Sequence, residues 1–190
     1  AGKTLGLMGY GNIGKIHARM AHAFGMKIIA CRKNRDRGSE GLDFVDIVDF
    51  DYLLEESDIV SILIPLINHG SGKTERLIGK RELEKIGRTG LGWLINTSRG
   101  AIINENDLIE SLESGVIKKA ALDVYEAEPL PEHSELRKLP NVVLTPHIAG
   151  DTKEALIARY TLIAENAIRV INNERPQYII KELQSVFANS

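Results

Sequence analysis

Short apolar runs alternate with amphipathic stretches along the whole chain. The runs predict strands at Thr4–Met8, Lys27–Cys31, Asp58–Ile64, Gly92–Asn96, Lys119–Val124 and Val142–Leu144, with a weaker one at Phe44–Val48. Several are apolar at successive positions rather than at alternate ones, the pattern of a parallel sheet covered on both faces. Between them, helical periodicity predicts helices at Ile13–Phe24, Tyr52–Glu56, Arg81–Lys85 and Glu105–Ser114, and a long one at Lys153–Asn172. Asp151 with Glu154 three residues later is an Asp-led relative of the capping box and marks the start of that last helix. Strand–helix alternation with short links predicts an α/β architecture, a doubly wound and mostly parallel sheet with helices on both faces. No internal repeat or linker-like run divides the chain. Arg175-Pro176 ends the last helix, and the residues beyond it read as an extended tail.

The polar turn after the first strand carries the first chemistry. Gly9-Tyr10-Gly11-Asn12-Ile13-Gly14 is a G-x-G-x-x-G that directly follows a strand and opens a helix, the context this fingerprint requires. Gly9 permits a tight turn, Gly11 the close approach of a pyrophosphate, and Gly14 close packing of helix on strand, with phosphates on the free N–H groups of the helix N-terminus. The reading is therefore a dinucleotide-binding domain over residues 1–173, followed by the tail 174–190. Past the second strand the chain reads Arg32-Lys33-Asn34-Arg35, with no carboxylate before Asp36. Arg at this place suits the 2′-phosphate of NADP, with Lys33 and Arg35 adding positive field, so NADP is the expected cofactor and NAD the alternative. A solvated basic turn that tolerates either nucleotide is the plainer reading of the same residues.

Ligands of open parallel sheets bind beyond the C-terminal strand ends. Just past three of those ends stand Thr97-Ser98-Arg99, then Glu126 and Glu128, and His147 with Gly150. A guanidinium, a carboxylate and an imidazole on separate loops of one edge can clamp an acid and move a proton. Each also has an ordinary structural reading: Arg99 paired with Asp123, Glu128 a solvated charge with Glu126 competing for its role, and His147 a helix cap.

The composition narrows the class. The chain has 190 residues, 24 Lys+Arg against 26 Asp+Glu, and 5% aromatic residues, which argues against a nucleic-acid surface. The longest apolar stretch, Ile59–Ile67, is broken by Ser61 and Pro65 and falls far short of the ~20 residues of a spanning helix. With no signal-peptide pattern, a single cysteine and no metal-ligand spacing, the expectation is a cytoplasmic chain with no membrane partner and no metal.

Taken together, Gly2-Lys3-Thr4-Leu5-Gly6, the glycine turn, Ser57-Asp58-Ile59-Val60-Ser61, Asn96-Thr97-Ser98-Arg99-Gly100, Ala120-Ala121-Leu122-Asp123-Val124-Tyr125 with Glu128-Pro129, and Thr145-Pro146-His147-Ile148-Ala149-Gly150 closely resemble the D-isomer-specific 2-hydroxyacid dehydrogenase family. The resemblance implies a Rossmann-type fold and hydride transfer between NAD(P)H and a small 2-keto or 2-hydroxy acid. It implies Arg99 as the ligand of the substrate carboxylate, His147 as acid/base and Glu128 as the partner that sets its tautomer. Asn12, Ile13, Pro65, Thr74, Thr97, Ser98, Arg99, Asp123, His147 and Gly150 are implied cofactor neighbours. Arg32 resembles the NADP-preferring glyoxylate/hydroxypyruvate reductase branch, and the loop between Pro65 and Thr74 is longer than is usual. The family also implies a substrate-binding domain ahead of the cofactor domain, toward which the tail 174–190 would lead, making this chain a fragment with little turnover alone. A homodimer through the cofactor domain is expected as well. Co-repressor relatives that sense dinucleotides without turnover are the alternative.

Overall fold

The computed structural model describes residues 1–34, 36, 38–180, 183, 184, 186 and 187. Seven strands form one sheet: β1 (Thr4–Met8), β2 (Lys27–Cys31), β3 (Val45–Ile47), β4 (Ile59–Ile62), β5 (Trp93–Asn96), β6 (Lys119–Leu122) and β7 (Val142–Leu144). Their order is β3-β2-β1-β4-β5-β6-β7, and every pairing is parallel. Four helices connect them: α1 (Asn12–Ala23), α2 (Phe50–Glu56), α3 (Lys80–Gly87) and α4 (Glu105–Glu113). This is the expected doubly wound α/β sheet.

Two apolar clusters cover the sheet. Leu5, Leu7, Ile28 and Ala30 pack with Ala18 and Ala21 of α1, whose small side chains let that helix lie close to the strands. Met8, Ile29, Val60, Ile62 and Leu94 pack with Leu53, Leu54, Leu83, Ile86 and Leu108 of α2, α3 and α4. Burial on both sides is why the strand runs lack alternation.

Three strands run over the expected residues, and the other four are shorter. Val124, for example, is 2% exposed yet lies past the end of β6, because apolar burial continues where ladder pairing stops. Helix starts differ too. α3 begins at Lys80 because the Glu82 side chain accepts the Gly79 N–H at 3.2 Å, a polar cap that apolar periodicity does not register.

The contacts divide the chain into two units, residues 1–147 and 148–190. In the second unit, α5 (Lys153–Ile171) is capped by Thr152, whose hydroxyl accepts the Ala155 N–H at 3.1 Å. Asp151, expected to mark this start, instead pairs with Arg159 at 3.2 Å, since Thr152 sits one residue nearer the free N–H groups. After the helix, the Asn166 side chain exchanges two hydrogen bonds with the Gln177 backbone. The expected tail thus lies partly in this described stretch, and residues 181, 182, 185 and 188–190 fall outside it. No helix among the described residues is long and apolar enough to cross a membrane.

Candidate functional site

One lateral row of the sheet assembles the site. Cys31, Met8, Ile62, Asn96, Leu122 and Leu144 stand opposite one another in register from β2 to β7. The residues one step beyond that row include Arg32, Gly9, Thr97, Asp123 and Thr145, so the parallel register alone brings the expected groups to one edge.

At the switch point between β1 and β4, Gly9 adopts φ +114°, and a Cβ there would lie 2.9 Å from the Leu63 backbone. A Cβ at Gly14 would meet the Gly9 carbonyl oxygen at 2.5 Å, so α1 can start this close only with glycine. Gly11 is exposed with nothing within 4 Å of its absent side chain, and as the N-cap it offers no side-chain acceptor to the helix. The first N–H groups of α1, at Asn12, Ile13 and Gly14, therefore face an open cradle that fits a pyrophosphate.

Beside the cradle, a cavity of about 480 Å³ is lined by Cys31, Arg32, Lys33, Phe50, Pro65 and Thr74 among others. The Thr74 hydroxyl donates to the Pro65 carbonyl and accepts the Ile67 N–H, each at 2.7 Å, which closes the long loop between them. Arg32 departs from the sequence reading in one respect. Expected as a cation awaiting a ligand, it is paired with Glu40 at 3.0 Å, donates to the Gly38 carbonyl at 3.0 Å, and lies 5.7 Å from the Tyr10 ring centroid. Lys15 pairs with the same carboxylate. Neither Glu40 nor Lys15 was expected; the glycines at 38 and 41 flanking Glu40 are the trace such a returning loop leaves in sequence. Arg35 lies outside the described residues.

At the other strand ends, Asn96 organises the β5 loop: its side chain accepts the Ser98 N–H and donates to the Arg99 carbonyl, both at 3.0 Å. The Ser98 hydroxyl donates to the Ile64 carbonyl just past β4. Thr97 and Arg99 are exposed, and the Arg99 guanidinium donates to the Ser98 carbonyl at 2.7 Å. Asp123 is buried and accepts the Thr145 hydroxyl.

His147 Nδ1 stands 2.7 Å from Glu128 Oε2. The competing acid is committed elsewhere: Glu126 pairs with Arg76 at 3.4 Å and accepts the Glu105 N–H. Tyr125, which the sequence reading did not single out, ties the three loops together. Its N–H donates to Glu128 at 3.1 Å, its hydroxyl reaches the Thr145 carbonyl at 2.8 Å, and its backbone occupies the space a Gly100 side chain would need. The His147 hydrogen bond, the Tyr125 N–H, and the charges of His147 and Arg99 hold the Glu128 carboxyl below its ordinary range against the opposing effect of desolvation. With Nδ1 on a carboxylate, the ring presents Nε2 for proton exchange. A cavity of about 540 Å³ adjoins the pair, lined by Tyr125, Leu130, Arg137 and Thr145 besides the two partners. Gly150 belongs to the second unit, two residues before the Thr152 cap. Among the described residues no group of three or more His, Cys, Asp or Glu could hold a metal ion.

Comparison with known proteins shows the family. A glyoxylate reductase of Thermococcus litoralis is 42% identical over 181 residues, 95% of this chain and 53% of its own length. The solved D-lactate dehydrogenase of Lactobacillus jensenii with NAD+ matches with a TM-score of 0.82 at 30% identity, covering 94% of this chain and 56% of that one. The NADPH-dependent glyoxylate/hydroxypyruvate reductase of Sinorhizobium meliloti, solved with NADP and sulfate, matches with a TM-score of 0.78 at 28% identity, covering 95% and 56%. The chain thus spans about half the length of the relatives it matches. Residues 1–149 match the profile of the D-isomer specific 2-hydroxyacid dehydrogenase, NAD binding domain. The chain belongs to the D-isomer-specific 2-hydroxyacid dehydrogenase family and carries its NAD(P)-binding domain.

Proposed function

We propose that this chain is the cofactor-binding and acid/base-bearing half of a reductase acting on a small 2-keto acid of the glyoxylate or hydroxypyruvate type, with NADPH as reductant. The observation that carries the reading is the 2.7 Å His147–Glu128 contact on the same strand edge as the open glycine turn. The 42% identity to a glyoxylate reductase supports the substrate class.

In this reading Gly9, Gly11, Asn12, Ile13 and Gly14 hold the pyrophosphate, Pro65 and Thr74 border the adenosine, and Arg32 and Lys33 take the 2′-phosphate. Thr97, Ser98 and Asp123 border the nicotinamide, which when bound supplies the hydride. Arg99 binds the substrate carboxylate and orients the keto carbon. His147 Nε2 gives a proton to the keto oxygen and takes one back in the oxidation direction. Glu128 fixes the tautomer and orientation of the ring, so that Nε2 carries the proton exchanged with substrate. NADH is the second reading, favoured by the Glu40 carboxylate already seated on Arg32. Nothing in the site favours the turnover-free protein-binding alternative. A homodimer through this domain is part of the proposal, supported by a row of exposed apolar side chains: Ile13, Ile16 and Met20 on α1 and Phe24 at its C-cap.

The test is His147→Ala in the complete protein. Its kcat for keto-acid reduction should fall by about 10²–10⁴, the span of a lost general acid, with dinucleotide affinity nearly unchanged. Equal losses in turnover and cofactor affinity would assign His147 to binding and overturn the mechanism.

A further inference from the structure

The carboxylate of Glu40 has no part in the proposed mechanism, yet it sits at the rim of the dinucleotide cradle. The segment 38–41 turns back toward the glycine turn with Gly38, Glu40 and Gly41 all left-handed, at φ +51°, +50° and +84°. Among the described residues, Arg32 donates to the Gly38 carbonyl at 3.0 Å and the Tyr10 hydroxyl donates to the Ser39 carbonyl at 3.1 Å, which holds the segment there. Glu40 is thereby placed between two cations from different elements, Arg32 just past β2 and Lys15 in the first turns of α1. The three side chains are 11%, 23% and 18% exposed for Arg32, Lys15 and Glu40, so their attraction is less screened than that of an open surface pair.

Among the described residues two cations converge on this carboxylate, an anion seat that the chain fills from within. We propose that Glu40 is an internal competitor for the 2′-phosphate of NADPH, that Lys15 completes the seat with Arg32, and that the exchange of Glu40 for that phosphate sets the preference between NADPH and NADH. The proposal rests on the dinucleotide reading of the glycine turn. The chemistry favours exchange: a phosphate monoester brings close to two negative charges and three acceptor oxygens against the single charge of a carboxylate. Its binding is nevertheless reduced by the cost of expelling Glu40. NADH brings no group that must displace Glu40, and the hydroxyls of its adenosine ribose can donate to the carboxylate left in place. Gly38 and Gly41 take the left-handed backbone without a side-chain penalty, whereas Glu40 holds it at φ +50° with a side chain, a conformation that release of its ion pairs would let relax.

Fluorescence titration of the protein with NADPH and NADH tests this without turnover. Glu40→Gln should tighten NADPH about three- to tenfold, the range expected for releasing a partly shielded ion pair, and leave NADH unchanged or weaker. Adding Lys15→Gln to Glu40→Gln should weaken NADPH and spare NADH. Equal NADPH affinity in wild type and Glu40→Gln, with both nucleotides still bound, overturns the proposal while the dinucleotide reading survives. Tightening of both nucleotides by the same factor also overturns it, since that is general electrostatics and not exchange. Failure of the wild type to bind either nucleotide overturns the dinucleotide reading, and the proposal falls with it.

Discussion

The Glu128 carboxyl titrates below its ordinary value of 4.5, chiefly because it accepts a hydrogen bond from His147, with smaller help from the Tyr125 N–H and the Arg99 charge. A depressed carboxylate contributes stability that is fully present above the ordinary value and is lost as pH falls through the lower folded value. The pairing of imidazole and carboxylate should therefore hold through neutral pH and fail only in acid below the ordinary carboxylate range. In a carboxyl-carbon NMR titration, His147→Ala should move the Glu128 midpoint upward toward 4.5, and Arg99→Gln should move it by a smaller step. A midpoint indifferent to His147→Ala would mean that the two side chains are apart in solution. Arg99, Glu128 and His147 are legible in sequence because each follows a strand by a few residues. Glu40 and Lys15 are not, because their pairing depends on the return of a loop that only its glycines mark, and Tyr125 is not, because its hydroxyl bonds the Thr145 carbonyl across a loop pair.

At the scale of elements, the loops after β5 and β6 are fitted to one another through Gly100. A Cβ there would fall 1.9 Å from the Tyr125 carbonyl carbon, a clash with backbone that no rotamer can relieve. Gly100→Ala should thus force the two loops apart, lower unfolding stability by about 1–3 kcal/mol in a urea titration, and raise the Glu128 midpoint as the Tyr125 N–H shifts. An unchanged urea midpoint would show that the loops can separate freely. The strands were foreseeable to within a few residues, since burial on both faces writes a continuous apolar run. Their ends were not, because residues such as Val124 stay buried after the ladder has stopped. The helix starts depend on single polar contacts, as the replacement of Asp151 by Thr152 at the head of α5 illustrates.

On the scale of the whole molecule, the row of apolar side chains along α1 and its C-cap bears on assembly. Ile13, Ile16, Met20 and Phe24 are 69%, 56%, 59% and 75% exposed and recur at helical spacing, a contiguous ridge rather than scattered single residues. Sedimentation velocity should find two chains per particle, and Ile16→Glu with Met20→Glu should give one. A single chain per particle in the wild type would remove the dimer from the proposal. The strand order, by contrast, is legible in the sequence pattern only as a class: alternation of strand and helix demands parallel crossovers, while the position of the reversal between β1 and β4 is marked by the glycine turn.

The all-parallel order puts every strand start at the edge opposite the candidate site. Chain entering the strands passes through Gly25, Ser57, Gly90 and Gly115, none of them a residue of the candidate site. Gly90 is exposed and left-handed at φ +79°, on a turn remote in register from the row that ends in Arg32, Thr97 and Thr145. For anyone wishing to anchor this protein to an electrode or splice a reporter into it, that turn is the natural handle: cargo attached there points away from the strand edge that carries the candidate site.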